Sequence, residues 1–194
     1  LYRRLLEVNK NGDANDRVNV TQTSLAMQAL ATALEHQGQM EECETLNRRC
    51  VSGYLRTHGV NHRITLTAIH NLAVVLRSRS RQSRYKLAEA ETLLRIAIAG
   101  ERANCGEEHP KTLHSMGSLG LVLEEQGQYE EAERLLRKVL PLWQKQLGEG
   151  HPDTLNPLAS LSSVLACTGQ LEEAEGLKRK HLKICEENLG PLNP

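Results

Sequence analysis

His109–Gly148 reads HPKTLHSMGSLGLVLEEQGQYEEAERLLRKVLPLWQKQLG. It opens on a histidine–proline pair, breaks at Gly127-Gln128-Tyr129 and closes on glycine. The stretch after it, His151–Gly190, reads HPDTLNPLASLSSVLACTGQLEEAEGLKRKHLKICEENLG and is an imperfect copy. His109 to His151, Gly127 to Gly169, Ala132 to Ala174 and Gly148 to Gly190 are each 42 residues apart. Glu89-Ala90-Glu91 lies 42 residues before Glu131-Ala132-Glu133, whereas Leu72 and Leu76 lie 47 before Leu119 and Leu123. Five extra residues therefore sit between Leu76 and Ala88. Gln37-Gly38-Gln39-Met40 matches Gln126-Gly127-Gln128-Tyr129 at 89 residues, the sum of one 42 and one 47.

A fixed period of this length marks a repeat architecture. The 194 residues divide into a partial copy over 1–12, then copies over 20–61, 62–108, 109–150 and 151–190, with 191–194 opening another. The second copy carries the insertion, over 77–87. Both ends are expected to lie inside a longer array.

Local chemistry sets the form of each copy. Pro110 and Pro152 suit a first helical position, where a missing N–H costs nothing. Leu113, Met116, Leu119, Val122 and Leu123 follow at helical spacing, and so do Tyr129, Ala132, Leu135, Leu136, Val139 and Leu140 after the glycine break. Gly59, Gly106, Gly148 and Gly190 fall where a left-handed helix C-cap uses glycine. Each copy is thus two antiparallel helices, neither of which can bury its apolar face alone, so copies must stack. The helices are expected at about 22–36 and 40–58, 63–78 and 87–104, 110–126 and 129–147, and 152–167 and 171–189, with 13–19 as a loop. The fold class is all-α.

Leu119-Gly120, Leu123, Gly127, Tyr129, Ala132 and Val139 resemble the tetratricopeptide signature. Small residues recur after the first leucine, as Ala31, Ala73, Gly120 and Ser162, and at the helix crossing, as Cys43, Ala90, Ala132 and Ala174. The His-Pro-x-Thr-Leu opening and long second helix look like the variety found in kinesin light chains and in fungal and bacterial NTPase-linked receptors. The resemblance implies a right-handed α-solenoid. It also implies a concave groove lined by the first helix of each pair.

Composition excludes several roles. Lysine plus arginine and aspartate plus glutamate are 24 each. Zero net charge argues against general binding to nucleic acid or a membrane surface. With no Phe and one Trp, the chain has no row of stacking platforms for single strands. No apolar run approaches the roughly 18 residues of a membrane span. The five cysteines have no C-x-x-C spacing and read as free thiols, Cys43 at a helix crossing among them, which favours a reducing, cytoplasmic setting.

No constellation for catalysis, a metal or a cofactor stands out, and the chain is read as not an enzyme. His62, His109 and His151 recur, but one repeat apart they cannot share an ion whose ligands lie ~2 Å from it. They read as helix-start residues. The Glu-Glu-Ala-Glu runs complement the dipoles of the second helices. The resemblance places Thr67, His70, Asn71 and Arg77 in the groove in the second copy. It places His114 and Ser118 there in the third copy, with Gly117 and Leu121, and Asn156 and Ser160 in the fourth. A groove asparagine can donate to and accept from a peptide backbone together. Asn71 holds that place where the other copies have Ala29, Ser118 and Ser160. The insertion carries Arg77, Arg79, Arg81, Arg84 and Lys86, a candidate dock for an acidic partner, interleaved with Ser78, Ser80 and Ser83.

The expected function is non-catalytic binding of a protein or peptide segment in the groove, with the NTPase-linked sensor role implied by the resemblance. The alternatives are a self-associating scaffold joined through its array ends, and a kinesin-light-chain-type cargo adaptor.

Overall fold

The computed structural model describes residues 17–79 and 85–189. Leu1–Lys10, Ser80, Arg81, Ser83, Arg84, Gly190 and Pro191–Pro194 lie outside the described residues. Among the described residues there are eight helices and no strand. They are α1 (Arg17–His36), α2 (Met40–His58), α3 (Arg63–Ser78), α4 (Tyr85–Cys105), α5 (Pro110–Gln126), α6 (Tyr129–Leu147), α7 (Pro152–Cys167) and α8 (Leu171–Leu189).

Six of the eight begin and end where the pattern of prolines, glycines and apolar stripes places them. The other two start early. α1 begins at Arg17, so residues 17–19 are helical and not a loop. No glycine or proline stands between Asp13 and Gln37 to break that helix. α4 begins at Tyr85. Its second residue, Lys86, is buried and ion-paired to Glu44 of α2, which carries the helix into the insertion.

The chain forms two compact units, α1–α4 and α5–α8, divided between Cys105 and Gly106. In the first, α2 packs on both α1 and α3, and α4 on α3. In the second, α6 packs on α5 and α7, α8 on α7, and α5 also meets α7.

The His-Pro-x-Thr-Leu opening has a local explanation. His62, His109 and His151 are N-caps whose Nδ1 accepts from the backbone N–H of Ile64, Lys111 and Asp153 at 3.3, 3.2 and 3.1 Å. That satisfies one of the orphan donors of a helix start. The threonines two residues beyond each proline are fully buried, and Thr112 and Thr154 donate to the carbonyls of Gly106 and Gly148, each at 2.8 Å. The opening thus ties α5 and α7 to the glycine that ends the helix before each, while Thr65 of α3 donates to the Tyr54 carbonyl at 3.5 Å. Of the glycines that close second helices, Gly59 and Gly148 have φ of 79° and 87° with ψ near 170°. They have the positive φ that favours glycine, but their ψ lies outside the αL cap expected. Gly127, between the helices of one pair, takes the αL form at φ 80°, ψ 15°.

All eight small positions are buried, from Ala31 and Cys43 to Ser162 and Ala174. At Gly120 the reason is direct. A Cβ there would stand 2.8 and 2.9 Å from Cδ2 and Cγ of Leu136, itself fully buried. At the crossing the core positions Cys50, Ala97 and Val139 are fully buried, while His181 in the fourth copy is half-buried, 3.6 Å from the Cys185 sulfur. All five cysteines are free. Cys43 and Cys50 are buried, Cys185 is intermediate, and Cys105 and Cys167 are exposed, so burial does not extend to every thiol. Burial pushes the Cys50 thiol up to about 12.

A further regularity joins the outer helices. Each second helix pairs a glutamate with an arginine four residues on: Glu44–Arg48, Glu91–Arg95, Glu133–Arg137 and Glu175–Arg179. Within the first unit Arg48 also reaches Glu89 of α4, and within the second Arg137 makes two bonds of 2.7 Å to Glu173 of α8. The exposed pairs among them contribute little individually; the Arg48–Glu89 and Arg137–Glu173 bonds join one second helix to the next within each unit.

Gly120→Ala is expected to destabilise the second unit by about 1–3 kcal/mol through overpacking against Leu136. Equilibrium urea unfolding checks this, and unchanged or raised stability would show that Leu136 can move aside.

Candidate functional site

The candidate surface lies on the first helices of the pairs. In the first unit, Thr67, His70, Asn71 and Arg77 stand at positions i, i+3, i+4 and i+10 of α3, on one side of the helix, and all are half-buried. The Thr67 hydroxyl donates to the Arg63 carbonyl at 3.0 Å. Accessible polar groups therefore border the buried stripe of Leu66, Ile69, Leu72 and Ala73.

The second unit holds a recess of about 50 Å³ between α5 and α7, lined by His114, Gly117, Ser118, Leu121, Trp143, Asp153, Asn156 and Pro157. Five of the residues expected in the groove, His114, Gly117, Ser118, Leu121 and Asn156, thus come together at one cavity. Ser160, also expected there, is buried and presents no surface to a ligand. Trp143 reaches the recess from α6 and is almost wholly buried. The walls are apolar on the Leu121, Trp143 and Pro157 sides and polar at His114, Ser118, Asp153 and Asn156.

Trp143, Asp153 and Pro157 are lining residues that sequence reasoning missed. Trp143 belongs to a second helix, outside the stripe searched for groove contacts. Asp153 reads as an ordinary first-turn carboxylate. Pro157 is a visible signal, being a proline inside a helix. It cannot donate the hydrogen bond that the Asp153 carbonyl would accept from residue 157 in a regular helix.

The basic insertion divides differently from the expectation. Arg81 and Arg84 lie outside the described residues. Arg79 and Lys86 both bond Glu44: Arg79 Nη1 lies 2.6 Å from Oε2, and Lys86 Nζ reaches the same oxygen. All three side chains are at most 10% exposed. Arg48 binds the other oxygen at 3.1 Å, and Arg79 also meets Glu41 at 3.0 Å. These two cations therefore face inward, toward α2. A carboxylate that gathers three cations explains why the flanks of the insertion are basic.

Burial pushes the Glu44 carboxyl up, but hydrogen bonds from Lys86 and Arg48 and the nearby positive charges outweigh it. The net effect holds the group below its usual range. Among the described residues no group of three or more His, Cys, Asp or Glu could hold a metal ion, and no helix is long and apolar enough to cross a membrane.

Comparison with known proteins agrees with this architecture. The tetratricopeptide repeat model matches residues 22–84, 80–144 and 119–187. A kinesin light chain-type protein of Podosopora anserina, with nearly identical TPR-like repeats, is 23% identical, with a TM-score of 0.68 over 97% of this chain and 94% of its own. BtubC (BKLC) from P. vanneervenii is 17% identical, with a TM-score of 0.78 over 100% of this chain and 73% of its own. The apo form of RapI is 14% identical, with a TM-score of 0.72 over 94% of this chain and 60% of its own. At these identities the likeness concerns the fold. No curated protein sequence matches the chain.

Glu44→Gln is expected to cost about 3 kcal/mol, because it leaves Lys86 buried without its counter-charge and Arg79 with the exposed Glu41 in place of a buried carboxylate. The lowered carboxyl of Glu44 implies that its contribution is complete above about pH 4 and is lost as pH falls through the lowered value. Urea unfolding across that window should show a shallower acid dependence for Glu44→Gln than for the wild type. Equal stability at pH 7 would mean that the cluster contributes nothing net.

Proposed function

The chain belongs to the tetratricopeptide repeat family, and on that premise we propose that it is a non-catalytic module binding an extended peptide or protein segment along its first helices. Repeat proteins of this kind generally serve as scaffolds for protein–protein interaction. The observation that carries the reading is the α5–α7 recess, where His114, Ser118 and Asn156 surround an apolar wall. Pockets of this kind, apolar with a few polar groups that fix orientation, are how a surface takes a side chain of a partner. On α3, Asn71 and Thr67 supply further partly accessible polar groups for a peptide backbone.

The finer assignment follows the repeat variety. The module is read as the sensor region of a larger NTPase-linked receptor, with a kinesin-light-chain-type adaptor as the alternative. The likeness to a kinesin light chain-type repeat protein supports the adaptor reading through fold alone. Five free cysteines suit a reducing, cytoplasmic setting. Self-association is a second reading, motivated by Leu171 and Leu182, which stand 65% and 59% exposed on α8.

The test is panning of a phage-displayed random peptide library against the whole chain. Recovered peptides should lose at least about tenfold in affinity for His114→Ala/Asn156→Ala, the loss expected when a few anchoring contacts dominate. Asn71→Ala/Arg77→Ala tests the polar groups of α3 in the first unit in the same way. Absence of any specific peptide, together with a mass that grows with concentration, would replace the reading with self-association.

A further inference from the structure

We infer that the recess between α5 and α7 takes the basic side chain, arginine or lysine, of the bound segment, with Asp153 as its counter-charge. This deepens the peptide-binding reading and rests on it. Asp153 is the one permanently charged residue among the lining groups. Its carboxylate only accepts hydrogen bonds, and the Asn156 amide oxygen and Ser118 hydroxyl can accept as well. A guanidinium or ammonium group only donates, so its needs match what these groups supply. The apolar lining of Leu121, Trp143 and Pro157 suits the apolar stem of a long basic side chain. Trp143 adds an aromatic ring to a cationic site. A recess of about 50 Å³ admits the end of one side chain, not a folded partner.

An anionic occupant meets the wrong chemistry at the same place. Helix starts attract anions through unpaired N–H groups, but those of α7 are spent. The Asp153 N–H donates to His151 Nδ1 at 3.1 Å, and the Thr154 and Leu155 N–H groups to the His151 carbonyl, each at 2.9 Å. The Asp153 carboxylate already occupies the negative place at that end. His151 Nδ1, 3.8 Å from Oδ2, is engaged with the Asp153 backbone N–H.

Two variants separate occupancy from folding. Asp153→Asn removes the charge and keeps the shape. Gly117→Ala narrows the recess: the added Cβ would lie 3.8 Å from Pro157 Cγ and 3.9 Å from Val139 Cγ1, ordinary contacts that leave the fold intact. Trp143 is the only tryptophan, so its fluorescence reports on the recess alone.

The experiment titrates the chain with a peptide recovered from the displayed library and with the same peptide carrying glutamine in place of its arginine or lysine. The recovered set should be enriched in arginine or lysine. The peptide should shift Trp143 emission saturably, and its glutamine form should bind about tenfold more weakly, the usual scale for a charge-assisted bond. Asp153→Asn should cost as much and flatten the salt dependence of binding. Gly117→Ala should weaken binding while circular dichroism stays unchanged. Peptides that depend on His114 and Asn156 but ignore both the glutamine exchange and Asp153→Asn would overturn the inference and leave the peptide-binding reading standing. Recovery of acidic peptides would also overturn it. Recovery of no peptide would overturn both.

Discussion

Close approach of two helices at small side chains is the constraint on which the rest of the structure depends. Gly120 admits Leu136 where a methyl group would collide with it. Ala31, Ala73 and Ser162 hold the corresponding place in the other copies, and Cys43, Ala90, Ala132 and Ala174 are likewise buried on the second helices. With bulk excluded there, the long side chains on either side fill the space along the pair. Leu113, Met116, Leu123 and Leu136 are accordingly among the largest fully buried residues of the second unit. Dispersion and burial at this density reward a single arrangement of the helices.

That arrangement decides which surfaces are left for function. Second helices carry the glutamate–arginine pairs and the ties from α2 to α4 and from α6 to α8, so their polar groups are largely engaged with one another. The flanks of the insertion follow the same rule, since Glu44 draws Arg79 and Lys86 inward. First helices are different. Three of them, α3, α5 and α7, are held at their starts by histidine caps and buried threonines, and their outward stripe is partly accessible. In the second unit a proline, a glycine and a tryptophan shape that stripe into a recess.

Most of the fold was legible because its signals are local and repeated. The period, the prolines at helix starts and the glycine between helices each have a mechanism that does not depend on distant packing. The start of α1 was misplaced because the polar run before Gln22 looks like a loop although nothing in it stops a helix. The site was less legible. Spacing alone brings His114, Ser118 and Asn156 onto first helices, but the contribution of Trp143 depends on how far α6 leans toward α5 and α7, which no local pattern encodes. The inward turn of Arg79 and Lys86 was hidden for the same reason. A run of cations resembles solvated surface until the carboxylate that gathers them, 42 residues before Lys86, is placed beside them.

The central claim is that recognition takes place on the first helices, with the α5–α7 recess as its anchor. Backbone amide shift mapping by nuclear magnetic resonance, in the presence of a bound peptide, tests it most directly. The account predicts the largest perturbations over His114–Leu121 and Asp153–Ser160, with the Trp143 indole among them, and small changes on α2, α4 and α8. Perturbations concentrated on the second helices instead, or around Glu44 and Arg79, would contradict it.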